Sequence, residues 1–454
     1  MAYRLQGPTG LPLEGWWYSN KLSPNWSGAG ARDIVYQQAG LRHKLLGCPK
    51  IVSDTRALEK EGKSKLLPLL TGDQAAAFDY IGVDTQFFAA AVLPLPITED
   101  QTPKFQAASA LAVQDVSPIP KTRLRTANVS FQLATSSSEI APGASLQHDY
   151  RVFFGPKDPT LLEHYGLGAF IEYGWQIFAL PAKLLHLVMN VLYWLTAAIG
   201  MPNYGVAIIL LTVIVRSCMI PVSLKQARSA AKMQELAPEI QKIKDKFPDD
   251  PMKQHAAVQE LYKKHDFNMF AGCLPVFIQL PIFIGLYRCL SVNTDLRDAA
   301  LIPGLAWASN LAGPDKLFYW KDWTFAMIGD EADGWFGPYF NVLPLITVAL
   351  FLVQQKMFTP PATDEQTKMQ QQMMTYMTVF MGVMFYKVPA GLCLYFITSS
   401  LWGIAERKLL PKSQLKKPGD SDGDRALLTT KPASPNGSAK TISKGAALRK
   451  QKRK

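Results

Sequence analysis

Apolar residues follow two regimes along the chain. Up to about residue 156 they alternate with polar residues or form short runs; beyond residue 168 they gather into long ones. VSFQLATS (129–136) and LQHDYRVFFG (146–155) alternate with a period of two, and PTGLPLEG and APGAS separate the extended runs. That pattern predicts half-buried strands joined by turns, hence an antiparallel all-β sandwich over 1–156. The later runs at 203–222, 270–290, 339–358, 369–388 and 390–410 each reach the roughly 20 residues that cross about 30 Å of hydrocarbon. Another apolar stretch, 168–200, is interrupted by Pro181, Lys183 and His186. Such a broken, partly charged pattern suits an amphipathic helix lying in the interface.

Between the first two long runs the spacing changes again. Met233, Leu236, Ile240, Ile243 and Phe247 recur at steps of three and four, the seam of a helix with charge on its other face. PDDP (248–251) breaks it, and MKQHAAVQELYKKH (252–265) starts a second helix. A helical hairpin over 224–267 is expected.

Charge orients these elements. The 224–267 stretch is rich in Lys and Arg, whereas 291–338 carries an acidic excess. The positive-inside rule puts the former in the cytoplasm and the latter outside. Five crossings then satisfy every loop, with the β domain outside and the C-terminus inside. The 454 residues carry a net charge of +12, and much of the excess lies in the segment 411–454, which is rich in Ser, Gly and Pro and ends ALRKQKRK. A segment of that composition cannot bury a core and is expected to be disordered. Electrostatically it suits an anionic partner or serves as a topology signal.

The chemistry on offer is that of binding and solvation. The five cysteines have no CxxC or metal-ligand spacing, the six histidines are dispersed, and HExxH, GxSxG and phosphate-loop patterns are absent from the sequence. No enzyme activity, cofactor or small-molecule substrate is expected. One residue stands out: Arg216, in GVAIILLTVIVRSCMIPVS, has no opposite charge near it in sequence. A charge near the middle of a spanning helix costs at least ~2.5–3.5 kcal/mol, so it faces water or a partner, or else snorkels to the interface. Gln279, Gln354, Gln355 and the run Thr398, Ser399, Ser400 are further polar residues in spans. Hydrogen bonding between helices accounts for small polar residues of this kind; for Gln279, between Pro275 and Pro281, a wet cavity is the alternative. Met369, Met373, Met377 and Met381 recur at four-residue steps and offer an adaptable apolar surface, or plain packing. Together these features suggest a cationic, hydrated pocket with a greasy flank. A solute or ion transporter built around the arginine is the competing reading, although no internal repeat with matching broken helices is evident.

NYGVAIILLTVIVRSCMIPVSLKQ, AKMQELAPEIQKIKDKF, NMFAGCLPVFIQLPIFIGLYRCL and KMQQQMMTYMTVFMGVMFYKVPAGLCLYFITSSL resemble, in order and spacing, the YidC/Oxa/Alb membrane protein insertases. YIGVDTQFFAAAVLP (80–94) is similar to part of the large periplasmic domain of bacterial members. The resemblance implies a polytopic α-helical protein: a five-helix core over 203–410 with its cytoplasmic hairpin and the external loop 291–338, preceded by a periplasmic β domain. It implies an inner-membrane insertase and chaperone, working alone or with the Sec translocon. Its partners would be nascent membrane-protein clients, the ribosome and membrane lipids. The family's groove arginine falls on Arg216, its substrate-contacting threonine on Thr212, and its last-helix aromatic pair on Tyr395 and Phe396; Gln279, Met373 and Met377 are expected to complete the client-binding surface. The chain begins, at MAYRLQGPTG, as though inside the β domain, so that domain is expected to be N-terminally incomplete. Removing 411–454 is expected to weaken ribosome co-sedimentation in a salt-sensitive way, because contacts to ribosomal RNA release counterions. Unchanged co-sedimentation would leave the tail a topology signal.

Overall fold

The computed structural model describes residues 2–13, 31–70, 76–95, 103–116, 118–171, 176–247, 250–265, 274–325, 336–359 and 365–409. The segment 411–454, expected to be disordered, lies outside them, as do part of the external loop and the tip of the hairpin.

Two antiparallel sheets make up the N-terminal part. β1 (Arg4–Gln6), β8 (Val129–Thr135), β7 (Phe105–Ala112) and β4 (Leu67–Pro68) form one sheet in that spatial order. The other runs β3 (Lys44–Leu46), β2 (Asp33–Gln38), β5 (Phe78–Asp84), β6 (Phe88–Leu95) and β9 (Asp149–Pro156). The alternating segments read from the sequence are β8 and β9. Ile34, Ile81, Val83, Phe105, Phe131 and Leu133 fill the space between the sheets. Gly82 on β5 is required by close approach, because a Cβ there would stand 2.6 Å from the Ala90 carbonyl oxygen.

The domain is not all-β. Cys48–Lys60 is a 13-residue helix, α1, with Pro49 in its first turn and Cys48, Ile51, Val52 and Thr55 buried. Those positions follow the i, i+3, i+4, i+7 rule, so the helical period was present but masked by the strand-like text around it. A short helix, α2 (Pro159–His164), follows β9, capped by the Asp158 carboxylate, which accepts from the Leu161 amide at 2.8 Å.

The rest is helical: α3 (Gln176–Ala198), α4 (Tyr204–Lys246), α5 (Pro251–Lys264), α6 (Leu274–Val292), α7 (Leu343–Phe358), α8 (Glu365–Met384) and α9 (Ala390–Leu409). Two described segments, Ala179–Ala198 and Tyr204–Lys225, are long and apolar enough to cross a membrane; Gln279–Leu290 and Leu343–Met357 are shorter apolar helices. α3 packs against α4 and α6, with Tyr193 and Tyr204 stacked at 3.9 Å between centroids. Ala182, Leu185, Met189 and Leu192 of α3 are buried, while Leu184, Leu187, Val191 and Trp194 are exposed on its other side. Its open face is largely apolar but carries Lys183, so α3 combines a surface suited to lipid with a polar contact of the kind that interfacial helices make.

α4 continues unbroken through Pro221 and Pro238, so the bundle helix and the first arm of the hairpin are one element. α5 packs back on it; Leu236 of the predicted seam is buried, and His265 lies 3.8 Å from Glu239 across the pair. The Met233 side chain falls outside the described positions.

The β domain is keyed into the bundle. Phe87, in the β5–β6 turn, is buried in the helical core with Leu185, Met189 and Leu286, and Arg297 stands over the neighbouring Phe88 ring at 5.1 Å. Below this turn, Lys157 and Asp84 form a buried ion pair of 2.8 Å. Lys157→Met leaves the Asp84 carboxylate buried without its counter-charge, at an expected cost of about 3–5 kcal/mol. This is read as a lower unfolding midpoint of the full chain in detergent. Asp84→Leu combined with Lys157→Met should recover most of that loss.

Candidate functional site

Burial in the bundle is asymmetric along its axis. Ala207, Ile208 and Leu211 in the first turns of α4, Leu286, Cys289 and Leu290 in the last of α6 and Leu392 to Tyr395 in the first of α9 are buried together, while further along α4 Met219 is buried against the cavity. The three groups buried together belong to the end next to the β domain, where the segment between α6 and α7 covers the helices. The Asp315 carboxylate accepts from the Trp307 indole and from the backbone amides of Val342 and Leu343, closing the start of α7. Asn341 donates to the Tyr386 carbonyl, and the amides of Ala390 and Gly391 donate to Gly313 and Leu311. Gly391 sits in a close approach, since a Cβ would stand 3.1 Å from both Ile208 and the Leu311 carbonyl.

Further along α4 and α6 the packing opens into a cavity of about 500 Å³. Arg216, Met219 and Ser223 of α4 line it, with Gln279 and Phe283 of α6 and Phe396 of α9. α7 contributes Thr347, Val348 and Phe351, and α8 contributes Thr378, Met381 and Gly382. The walls are thus mainly aromatic and aliphatic, with one cation. Arg216 Nε donates to Ser399 Oγ at 2.7 Å, and its Nη2 reaches the same hydroxyl. Among the described residues no carboxylate lies within ion-pair distance of Arg216. Next to it, Gln279 Nε2 donates to the Tyr395 hydroxyl at 2.7 Å, one turn of α9 before Ser399. The pairs Arg216–Ser399 and Gln279–Tyr395 lie one turn apart on α9 and together form a polar strip across α4, α9 and α6.

Three of the sequence-derived site residues, Arg216, Gln279 and Phe396, line the cavity together, and Tyr395 is buried behind them. Phe396 packs on Phe283 at 5.5 Å and edge-on to Phe351 at 5.4 Å. Thr212 is wholly buried, and its hydroxyl donates to the Ile208 carbonyl of its own helix at 2.7 Å. Met373 and Met377 stand apart from the cavity, exposed on the outside of α8, while Met381 lines it. The reason is geometric: four-residue steps overshoot a 3.6-residue turn by about 40° each, so the methionine row winds round the helix.

Ser399 was visible in the sequence as a polar residue in a span, but its pairing with Arg216, 183 positions away, was not. Phe283, Val348 and Phe351 carried no signal that separates a cavity wall from ordinary packing. Gln355, flagged on the same grounds as Gln279, is spent between helices: it donates to Thr375 Oγ1 at 3.1 Å and accepts from the Thr378 hydroxyl at 3.2 Å, joining α7 to α8.

Two family models match the chain: the 60Kd inner membrane protein model over 194–417 and the YidC periplasmic domain model over 51–186. The chain belongs to the YidC family. The first of these matches contains every cavity-lining residue, and the second contains Phe87 and the Lys157–Asp84 pair. Among curated relatives, the membrane protein insertase YidC of Paraburkholderia phymatum is 32% identical over 282 residues, 61% of this chain and 44% of that protein. That of Burkholderia cenocepacia is 33% identical over 272 residues, 59% of this chain and 42% of that protein. The matched stretch spans less than half the length of these relatives. A crystal structure of an active YidC insertase with its first transmembrane domain resolved aligns with a TM-score of 0.39 and 17% identity, covering 76% of this chain and 83% of that one.

Because α8 packs chiefly on α7, the Gln355 bridge governs how firmly the α8 wall of the cavity is held. Gln355→Leu removes both hydrogen bonds, and amide hydrogen exchange along α8 is expected to accelerate while that of the first turns of α4 stays unchanged.

Proposed function

We propose that the chain is a membrane protein insertase and chaperone of the bacterial inner membrane. It acts without covalent catalysis or a cofactor, by lowering the desolvation cost of moving short hydrophilic parts of clients across the bilayer. The observation that carries this reading is the Arg216 guanidinium, in a cavity of about 500 Å³, bonded to a hydroxyl rather than to a carboxylate. A cation answered by a neutral acceptor keeps most of its field, draws in water and attracts negative charge. A polar client segment entering this space exchanges bulk water for a partly hydrated, positively biased surface. The client's apolar helix leaves along α8, whose outer face exposes Met373, Met377, Tyr376 and Phe380. Methionine side chains re-pack around unrelated apolar shapes, which suits a site that serves many clients.

In this reading α4, α6, α7, α8 and α9 cross the membrane, α3 lies at the outer interface, the β domain is periplasmic and the hairpin and tail are cytoplasmic. The basic hairpin and tail offer contacts to the ribosome, and the Sec translocon and lipids are further partners. Ser399 holds the guanidinium at the cavity wall, Gln279 and Phe396 line the space the client segment enters, and Thr212 and Tyr395 support that wall from behind.

Arg216→Ala is expected to impair insertion of clients with acidic translocated segments by about tenfold or more, the equivalent of ~1.4 kcal/mol, and that of neutral clients much less. Arg216→Lys should be milder, since it keeps the charge but loses the planar donor fork. A reconstituted insertion assay with matched acidic and neutral clients checks both; equal loss on all clients would sink the electrostatic role.

A further inference from the structure

The external segment ends in a small hairpin, β10 (Phe318–Tyr319) paired with β11 (Tyr339–Phe340). Its inner side is anchored on the bundle. Trp320 stacks on Tyr386, just beyond α8, and its indole donates to the Gly337 carbonyl at 2.8 Å. The next turn points elsewhere: Trp323, whose amide donates to the Trp320 carbonyl at 2.9 Å, is 87% exposed, and Phe325 is 82% exposed. Two such rings in water are costly, and neither contributes to the cavity, to the β domain or to the closure around Asp315.

Helix length states what they meet. β11 is followed within three residues by α7, which has 16 residues and is therefore about 24 Å long. That is shorter than the roughly 30 Å of hydrocarbon it must cross, so the chain joined to its outer end is drawn to the headgroup level. The hairpin sits over α7 and α8, the pair at the margin of the bundle, because Trp320 rests on Tyr386 and α8 packs chiefly on α7. Lys321 and Asp322 flank the aromatic turn with no net charge, which leaves the two rings to set its depth.

We propose that Trp323 and Phe325 are a membrane foot: they insert into the headgroup and upper acyl region of the outer leaflet and hold the external segment down on the bundle margin. The amphipathic indole and the neighbouring ring suit that depth. The inference rests on the reading in which α7 and α8 span the bilayer.

The test uses the full chain reconstituted in phosphatidylethanolamine and phosphatidylglycerol vesicles. An environment-sensitive fluorophore is attached at Phe325→Cys, at Tyr376→Cys on α8, or at Glu61→Cys in the β domain, each with Cys218→Ser and Cys273→Ser. Lipids carry a nitroxide either near the headgroup or near the chain end. The label at 325 is expected to lose most of its emission to the shallow nitroxide and little to the deep one, the label at 376 to lose most to the deep one, and the label at 61 to lose little to either. Adding Trp323→Ser should restore emission at 325. No quenching at 325 with deep quenching at 376 would overturn the foot alone, whereas no quenching at 376 would overturn the spanning arrangement and the foot with it.

Discussion

A single guanidinium held by a hydroxyl organises the helical half of this protein. Arg216 could be neutralised cheaply by one aspartate on a facing helix, yet the described residues meet it with Ser399. In the proposed function that uncompensated charge is what draws water into the bundle. Leaving it uncompensated requires space, and the cavity along α4 and α6 supplies that space. The dense packing at the opposite end of the same helices is the complement of this choice, because a bundle that is loose in one half needs its stability from the other.

That division explains the many polar contacts at the β-domain end. Asp315 and the Tyr386 hydroxyl satisfy backbone amides at the start of α7, Asn341 answers the Tyr386 carbonyl, the Leu311 and Gly313 carbonyls answer the first amides of α9, and the segment between α6 and α7 lays Leu311 and Ala308 into the core. Phe87 completes the packing from the other domain. The closure is therefore built from segments far apart in sequence, each contributing a few buried groups.

Much of the fold is legible in the sequence. The period-two runs at β8 and β9, the apolar runs and the proline break after the α4 seam follow directly from local pattern. Arg216 and Gln279 were legible for a different reason: a polar group in an apolar run costs free energy, so its presence demands an explanation. What stayed hidden depends on pairing across distance. Nothing in TSS distinguishes the serine that meets Arg216 from its neighbours, and Phe87 reads as one more strand-end aromatic. α1 is hard to read from sequence because four buried positions in helical register are a weak signal between strands. The methionine row was legible as a row but not in its direction, since a four-residue repeat drifts around a helix.

The continuity of α4 has a mechanical consequence. About 30 residues of uninterrupted helix separate Arg216 from Lys246, a rod of roughly 45 Å. The cavity wall and the hairpin arm are then two stations on one lever, with Pro221 and Pro238 as its points of compliance. A tilt of a few degrees imposed at the hairpin reaches Ser399 as a displacement of the guanidinium. Whatever docks on the hairpin could thereby set the width of the cavity without entering it.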